Sequence, residues 1–248
     1  SGGGVNIYNS GANTLENCSI TYNKAESSSS LSAYGGGVCI SGRGTNTLTN
    51  CSITGNTISS SSSSAYGGGV CIYENTTLLG TTNITGNTVK NGSDSSDSNL
   101  YLASSSYTVA LSDSNGNKLS AGSQIGVVTE YNPSSGTDKK FATDASEDEM
   151  INYFTSDKGY TVCKQGTDLY LTVAPSDLYQ SDNKFYLDAE KTKLTNIKTM
   201  AEAVKIATNI HMLSVYTASS DETVEVPSGK NVTVSRYSTF TNDAMIRV

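Results

Sequence analysis

The sequence lacks several residue types on which catalytic and membrane-inserted proteins depend. Its 248 residues include no tryptophan, one histidine and three prolines, and only 16% of them are charged. A single histidine excludes any site built from several, and the low charged fraction argues against a long helical or coiled-coil protein. No apolar run approaches the roughly 18 residues of a membrane-spanning helix. The net charge of −7 argues against broad affinity for nucleic acid.

Glycine and small polar residues are abundant instead, and they form three near copies of one pattern over residues 2–98. A Gly-Gly-Gly-Val block begins at Gly2, Gly35 and Gly67, which are 33 and 32 residues apart. A second block, Asn-Cys-Ser-Ile-Thr, begins at Asn17 and Asn50 and decays to Thr-Asn-Ile-Thr in the third copy. Two blocks that keep their phase through three copies indicate stacked structural repeats.

Within each block, apolar residues alternate with small or polar ones, which is the period of a short strand with one buried face. A helical solenoid is excluded because no repeat has about ten residues of helical spacing free of Gly, Asn and Ser clusters. Parallel strands stacked about 4.8 Å apart place equivalent side chains in continuous ladders. The predicted inward ladders are Val5/Val38/Val70, Ile7/Ile40/Ile72, Leu15/Leu48, Cys18/Cys51 and Ile20/Ile53/Ile84, with an amide ladder of Asn23/Asn56/Asn87 at a bend. The sequence therefore predicts an all-β fold, a parallel β-helix with about three short strands per coil.

The Gly-Gly-Gly-Val and Ile-Thr-Gly-Asn blocks resemble the paired Gly-Gly-Ala-Ile and Phe-x-x-Asn repeats of chlamydial polymorphic outer-membrane proteins. They also resemble bacterial right-handed parallel β-helix adhesins more generally. Ile20, Ile53 and Ile84 stand where that family usually has Phe, and the third glycine stands where it has Ala. The resemblance covers residues 2–98 and implies a right-handed coil and a surface-exposed passenger role. It implies no particular ligand.

Three sections are expected along the chain. Residues 1–98 form the coils, with serine-rich loops at residues 27–30 and 59–64 and a third loop at residues 91–98. Residues 99–174 form a β-rich terminal or capping module with an Asn115-Gly116 turn and one short helix opened by a Ser146–Glu149 capping box. Residues 175–248 form the helix-capped start of a second β-helical section. Its helix begins at a Thr199–Glu202 capping box and runs through about Thr208, and strands follow at residues 223–226, 231–234 and 244–248. Because the sequence begins and ends in mid-pattern, we expect it to be a segment of a longer chain.

Cysteine and tyrosine positions suggest two features of the coil surface. The alternation places Cys18 and Cys51 inside and Cys39 and Cys71 outside, each pair one coil apart. A spacing near 4.8 Å leaves a disulfide between Cys39 and Cys71 open beside the simpler interpretation of free thiols. Tyr34 and Tyr66 fall at the same phase of successive coils, so they are candidates for surface contact.

Carboxylates give weak candidates for metal binding and none for catalysis. Asp144, Glu147 and Asp148 cluster near the short helix, where negative charge at a helix N-terminus is the simplest interpretation and weak surface Ca²⁺ binding is the alternative. Glycan hydrolysis needs two carboxylates roughly 5–10 Å apart, and the repeat faces carry no acidic pair. We expect His211 to be a packed strand residue.

The sequence therefore predicts a secreted or cell-surface protein of adhesin or stalk type that catalyses no reaction and needs no cofactor. Its expected partners are a glycan or protein on a host or neighbouring cell, or further copies of itself. Nucleic acid and a membrane-spanning segment are not expected in this portion. Two alternatives stay open: a polysaccharide lyase or hydrolase whose catalytic coils lie outside this segment, and a structural subunit of an extracellular filament or sheath.

Overall fold

The computed structural model describes residues 3–27, 32–61, 64–218, 222–237 and 246–247. Over these residues the chain is nearly all β, and its strands stack into a parallel β-solenoid of about six turns. This architecture confirms the predicted fold class. None of the helices in the described ranges has the length and apolar character that crossing a bilayer requires.

The repeated coils are built from strands of two to four residues. In chain order they are β1 (Val5–Ile7), β2 (Asn13–Glu16), β3 (Ser19–Thr21), β4 (Lys24–Ser27), β5 (Ala33–Tyr34), β6 (Val38–Ile40), β7 (Asn46–Thr49), β8 (Ser52–Thr54), β9 (Thr57–Ser60), β10 (Ala65–Tyr66), β11 (Val70–Ile72), β12 (Thr76–Leu79), β13 (Asn83–Thr85) and β14 (Thr88–Asn91). Equivalent strands pair in parallel, with Val38 opposite both Val5 and Val70, and Ile53 opposite both Ile20 and Ile84. The predicted ladders are confirmed, and their central members are fully buried.

Glycine is required where the Gly-Gly-Gly bends of neighbouring coils meet. Gly35 and Gly67 have φ values of +70° and +65°, which residues with a side chain rarely adopt. A Cβ atom on Gly36 would lie 2.2 Å from the carbonyl oxygen of Gly68 in the next coil. The repeat of this block therefore reflects close backbone approach at one corner of the solenoid.

The predicted amide ladder is present and is longer than expected. The Asn56 side-chain oxygen accepts hydrogen bonds from the backbone N–H and Nδ2 of Asn23, both at 2.9 Å, and Asn87 accepts the same pair from Asn56. Asn99 accepts from Asn87, and Asn99 donates in turn to the carboxylate of Asp157 at 2.6 and 2.8 Å. The ladder thus runs in one direction from amide to amide and ends on a carboxylate.

The middle section continues the stack and then folds back over it. Its elements are β15 (Asp94–Asp97), β16 (Leu100–Leu102), β17 (Val109–Ala110), β18 (Gln124–Thr129), β19 (Lys139–Thr143), the 3₁₀ helix Asp148–Tyr153, β20 (Phe154–Ser156), β21 (Thr161–Gln165) and β22 (Asp168–Thr172). Strand β18 pairs in parallel with both β16 and β13, so it joins two faces of the solenoid in one sheet. The predicted turn at Asn115-Gly116 is confirmed, and β21 pairs antiparallel with β22.

Two local predictions in this part are wrong. The Ser146 capping box does not form, because Asp144 has φ +62° and the Ser146 N–H is used in a turn to the Asp144 carbonyl. The 3₁₀ helix instead follows Glu147, without a side-chain cap. The polar run after β14 is a hairpin of β14 and β15 instead of a loop. In the first two serine-rich runs, Ser27 and residues 59–60 belong to β4 and β9, and residues 28–30 and 62–63 lie outside the described residues.

The last section comprises β23 (Asp177–Ser181), β24 (Lys184–Tyr186), β25 (Lys193–Thr195), helix α1 (Met200–Ile206), β26 (Asn209–Met212), β27 (Tyr216–Thr217), β28 (Thr233–Arg236) and β29 (Ile246–Arg247). Thr199 caps α1 by accepting a hydrogen bond from the Glu202 N–H, as predicted, although the helix ends at Ile206. The strand predicted at residues 223–226 is absent, and the next strand begins at Thr233. Most of the strand predicted at residues 244–248 lies outside the described residues.

The apolar core falls into two main clusters. The larger one fills the solenoid from the first coils to Leu194 and includes Phe141 and Phe154, whose ring centroids are 5.3 Å apart. The other surrounds α1 and includes Leu178, Phe185 and Ile210. The hydrogen-bonded sheet that begins at β2 nevertheless runs without interruption to β28. Both core clusters therefore lie along one continuous sheet.

Candidate functional site

The most developed surface feature is a group of tyrosines on the outer side of the first sheet. Tyr34 and Tyr66 end strands β5 and β10 in register, and Tyr101 is the central residue of β16. Tyr73 directly follows β11. We call these four residues the tyrosine layer. In β16 and its neighbours the two flanking residues point into the solenoid, so the central residue is directed outward.

Ring stacking follows the solenoid axis. The Tyr34 and Tyr66 centroids are 5.6 Å apart with planes inclined by 13°, and those of Tyr66 and Tyr101 are 4.9 Å apart and inclined by 27°. Tyr73 meets Tyr34 edge to face at 5.3 Å. Each such pair contributes about 0.5–1.5 kcal/mol beyond the area that it buries. The stack holds the rings rigidly, with Tyr101 buried at 7% exposure and Tyr34, Tyr66 and Tyr73 partly exposed.

Two cysteines lie beneath the tyrosine layer. Cys39 and Cys71 are the central residues of β6 and β11 and face each other in register. They were predicted to lie outside, and they do occupy the outward face, yet they are only 4% and 0% exposed. Strand alternation identifies the face of a residue but does not reveal that rings from neighbouring strands cover it. All five cysteines are free thiols in the structure, so a disulfide between Cys39 and Cys71 stays a prediction for oxidising conditions.

Burial raises the pKa of the two thiols and of two of the tyrosine hydroxyl groups on this surface. Desolvation raises the pKa of the Cys71 thiol well above its usual value and also raises the pKa of Cys39. Desolvation likewise raises the pKa of the Tyr73 hydroxyl, and a hydrogen bond with Tyr34 adds to this effect. The Tyr101 pKa is raised mainly by desolvation and further by the nearby Cys71. The layer is therefore a neutral surface over thiols that react poorly as nucleophiles.

The three acidic candidates for a metal site are held by different partners. Asp148 forms ion pairs with Lys164 at 3.1 Å and Lys184 at 2.9 Å, and the hydrogen bond from Lys184 is the main cause of its lowered pKa. Glu147 pairs with Lys118. Asp144 accepts a hydrogen bond from the Thr143 hydroxyl. In the described ranges, no three His, Cys, Asp or Glu side chains come together as a metal site would require.

A second polar cluster surrounds His211, which sequence reasoning treated only as a packed strand residue. His211 stacks on Tyr179 with centroids 4.8 Å apart, its Nε2 lies 3.0 Å from an Asp177 carboxylate oxygen, and its Nδ1 lies 3.3 Å from the Ser235 hydroxyl. The order reverses that of a nucleophilic triad, because the hydroxyl faces the nitrogen next to the backbone and the carboxylate faces the distal one. We interpret this cluster as cross-strand hydrogen bonding between β23, β26 and β28.

Sequence reasoning identified Tyr34 and Tyr66 but missed their neighbours in the layer. The signal for Tyr73 was present, because a Val-x-Ile-Tyr pattern occurs at both Val5 and Val70. Tyr101 gave no comparable signal, since the fourth coil replaces the Val-Cys-Ile block with Leu-Tyr-Leu.

Searches of protein-family models, curated proteins and solved structures found nothing that matches this chain.

Proposed function

We propose that the chain is a section of a secreted or cell-surface β-helical protein of adhesin or stalk type, which binds a partner and performs no catalysis. The observation that carries this proposal is the tyrosine layer on the outer face of coils whose interior is already filled. Val38, Ile40, Val70 and Ile72 are fully buried on the inner side of the same strands. A solenoid needs that inner core to fold, and the outer aromatic layer is additional.

Tyrosine suits contact with a partner for physical reasons. Its ring gives a large contact area and loses few rotatable bonds on binding, and its hydroxyl stays compatible with water. Because Tyr34, Tyr66 and Tyr101 are already stacked, little further ordering would be needed when a partner docks. The neutral layer on a chain of net charge −7 favours a glycan or protein partner over nucleic acid.

The proposal is tested with the labelled chain and an immobilised panel of neutral and acidic glycans and extracellular proteins. We expect saturable binding to at least one member, and we expect Tyr66→Ala to weaken it at least about tenfold, because this change removes two stacked ring contacts. Tyr131→Ala is the matched control, since Tyr131 is 58% exposed and lies outside the layer. The unfolding midpoint of each variant is measured alongside to separate lost contact from lost fold.

Three outcomes would contradict the proposal. If the chain binds no member of the panel, the proposed binding role is wrong. Release of unsaturated or reducing ends from a glycan would favour the polysaccharide-acting alternative. Fibres with the solenoid repeat in electron micrographs, formed without any bound partner, would favour the filament alternative.

A further inference from the structure

A groove lies at the edge of the tyrosine layer and spans the first three coils. It has a volume of about 320 Å³ and is lined by Asn6, Tyr8, Tyr34, Cys39, Ser41 and Tyr73. Tyr8 is 80% exposed although it belongs to an otherwise regular coil. Most large side chains on the outer face of the first sheet are covered by neighbouring residues, so the exposed Tyr8 ring is an exception.

The groove arises because one coil lacks an aromatic side chain. Backbone hydrogen bonds from Ser41 to Ile7 and from Tyr73 to Ile40 place Tyr8, Ser41 and Tyr73 at the same position of three successive coils. Two strand spacings separate the tyrosines, or roughly 9.6 Å between equivalent backbone positions. Nearby, the Tyr34–Tyr66 and Tyr66–Tyr101 centroids are 5.6 and 4.9 Å apart, so one coil accommodates one ring. Tyr34, whose ring centroid is 5.3 Å from that of Tyr73, forms one side of this space. The part over Ser41 that faces Tyr8 is open to one ring supplied from outside.

The lining specifies the chemistry of that ring. The Ser41 hydroxyl donates to the Ile7 carbonyl at 3.4 Å, and the Tyr73 hydroxyl is hydrogen-bonded with Tyr34. The Tyr8 hydroxyl and the Asn6 amide are therefore the groups at the rim that a ligand can engage. No acidic or basic side chain is among the groove residues. A pyranose ring has apolar faces that can stack on Tyr8 and a rim of hydroxyl groups that can bond the Tyr8 hydroxyl and the Asn6 amide. An anionic sugar would find no counter-charge.

We propose that this groove binds a single neutral pyranose residue of a glycan, held between Tyr8 and Tyr73 above Ser41. This inference rests on the proposed function, because it assigns a ligand class to the same outer face. It commits to a hexose or N-acetylhexosamine and predicts that sialylated and sulfated counterparts bind no better.

The test uses the 248-residue chain on an array of neutral hexose and N-acetylhexosamine oligosaccharides with their sialylated and sulfated forms. Ser41→Tyr fills the groove and completes a column of three tyrosines. We expect it to raise the unfolding temperature and to weaken neutral-glycan binding at least about tenfold. Tyr8→Ala removes one wall of the groove at an exposed position, where the fold does not depend on the ring, and should weaken binding about as much.

Two matched controls isolate the groove. Thr47→Tyr adds the same side chain to β7 of the same coil, outside the groove, and Tyr22→Ala removes a tyrosine that is 81% exposed elsewhere. Both should bind within about twofold of the parent chain. If Ser41→Tyr and Tyr8→Ala bind normally while Tyr66→Ala does not, the groove assignment is wrong and the proposed function stands. If the parent chain binds no glycan or protein, both are wrong. A dimer of the parent chain that Ser41→Tyr dissociates would assign the groove to a second copy instead.

Discussion

The repeated coils and the section that begins at Asp177 stack in the same way but with different residues. In the coils, valine lies over valine and isoleucine over isoleucine for three turns. In the last section, Leu178 lies opposite Ile210 and Ile210 opposite Val234, and none of the residue pairs that join β23, β26 and β28 is identical. The inner ladder therefore requires apolar residues of suitable volume at the correct spacing. Identity between coils makes the repeat easy to detect, but the stacking does not depend on it.

Buried amides differ between the two regions as well. In the coils, the buried asparagine amides find their hydrogen-bond partners in a ladder that crosses from one turn to the next. Gln180 is fully buried in the last section, and its hydrogen-bond partners lie in the same section. In the amide orientation that satisfies both its oxygen and its nitrogen, the side chain donates to the Ser214 carbonyl at 2.8 Å and accepts from the Asn183 N–H at 3.1 Å. The ladder links four successive amides through the coils, whereas Gln180 joins its own turn, through Asn183, to the next turn only, through Ser214.

The largest expected effect tests whether the two inner ladders are equivalent. Ile53→Ala in the coils and Ile210→Ala in the last section each remove a side chain that is 0% exposed. We expect each change to lower the free energy of unfolding by about 2–5 kcal/mol, since both leave a cavity that neighbouring strands cannot close. Val224→Ala, at a position 45% exposed, is the control and should have little effect.

Denaturant unfolding of the three variants measures these differences. A cost below about 1 kcal/mol for Ile210→Ala alone would mean that the last section is loosely packed and that shared stacking geometry does not imply shared stability.

A smaller effect is expected from breaking the amide ladder at its centre. Asn87→Ala leaves the Asn56 N–H and Nδ2 without their acceptor and the Ile53 carbonyl without a donor, all of them buried. We expect a loss of about 1–3 kcal/mol in unfolding free energy and faster hydrogen exchange at the Asn56 amide. Asn132→Ala, on the exposed surface, is the control. Unchanged exchange at Asn56 would show that the ladder contributes nothing to the coupling between coils.

The sequence predicted the features that repeat and missed those that depend on distant residues. The ladders through Ile53 and through Asn56 were visible because equivalent positions carry equivalent residues. The covering of Cys71 could not be predicted in this way, since it depends on rings that belong to other strands. Asp157 follows Asn99 by 58 residues and lies outside any repeat, so no local pattern could show that it ends the amide ladder.

In the candidate site, too, the sequence predicted the features that repeat and missed the one that depends on residues from several coils. Tyr34 and Tyr66 could be found from their phase, and their stacking followed from the register. The groove over Ser41 could not be predicted from the sequence, because it results from the absence of a ring at one position between two tyrosines. That absence has meaning only once the three positions are known to lie above one another.

The smallest expected effect concerns the carboxylate at the end of the amide ladder, a feature that the last section lacks. Burial raises the pKa of Asp157, and the hydrogen bonds from Asn99 only partly oppose this. A carboxyl group whose pKa is higher in the folded state than in the unfolded state stabilises the fold fully below its unfolded pKa, near 3.9. That contribution is lost as the pH rises through the folded-state pKa.

Asp157→Asn isolates this effect because a single amide oxygen can accept both Asn99 hydrogen bonds, as Asn56 and Asn87 do for the residues before them. We expect the stability of the parent chain relative to Asp157→Asn to fall as the pH is raised from about 3.5 to 7. Asp113→Asn should show the opposite slope, since hydrogen bonds from Asn117 lower the pKa of the exposed Asp113, whose contribution is lost as the pH falls. Unfolding midpoints of the three proteins across this range provide the measurement. A parent advantage over Asp157→Asn that grows with pH would mean that the donors of Asn99 outweigh desolvation, and that the ladder ends on a stabilising charge.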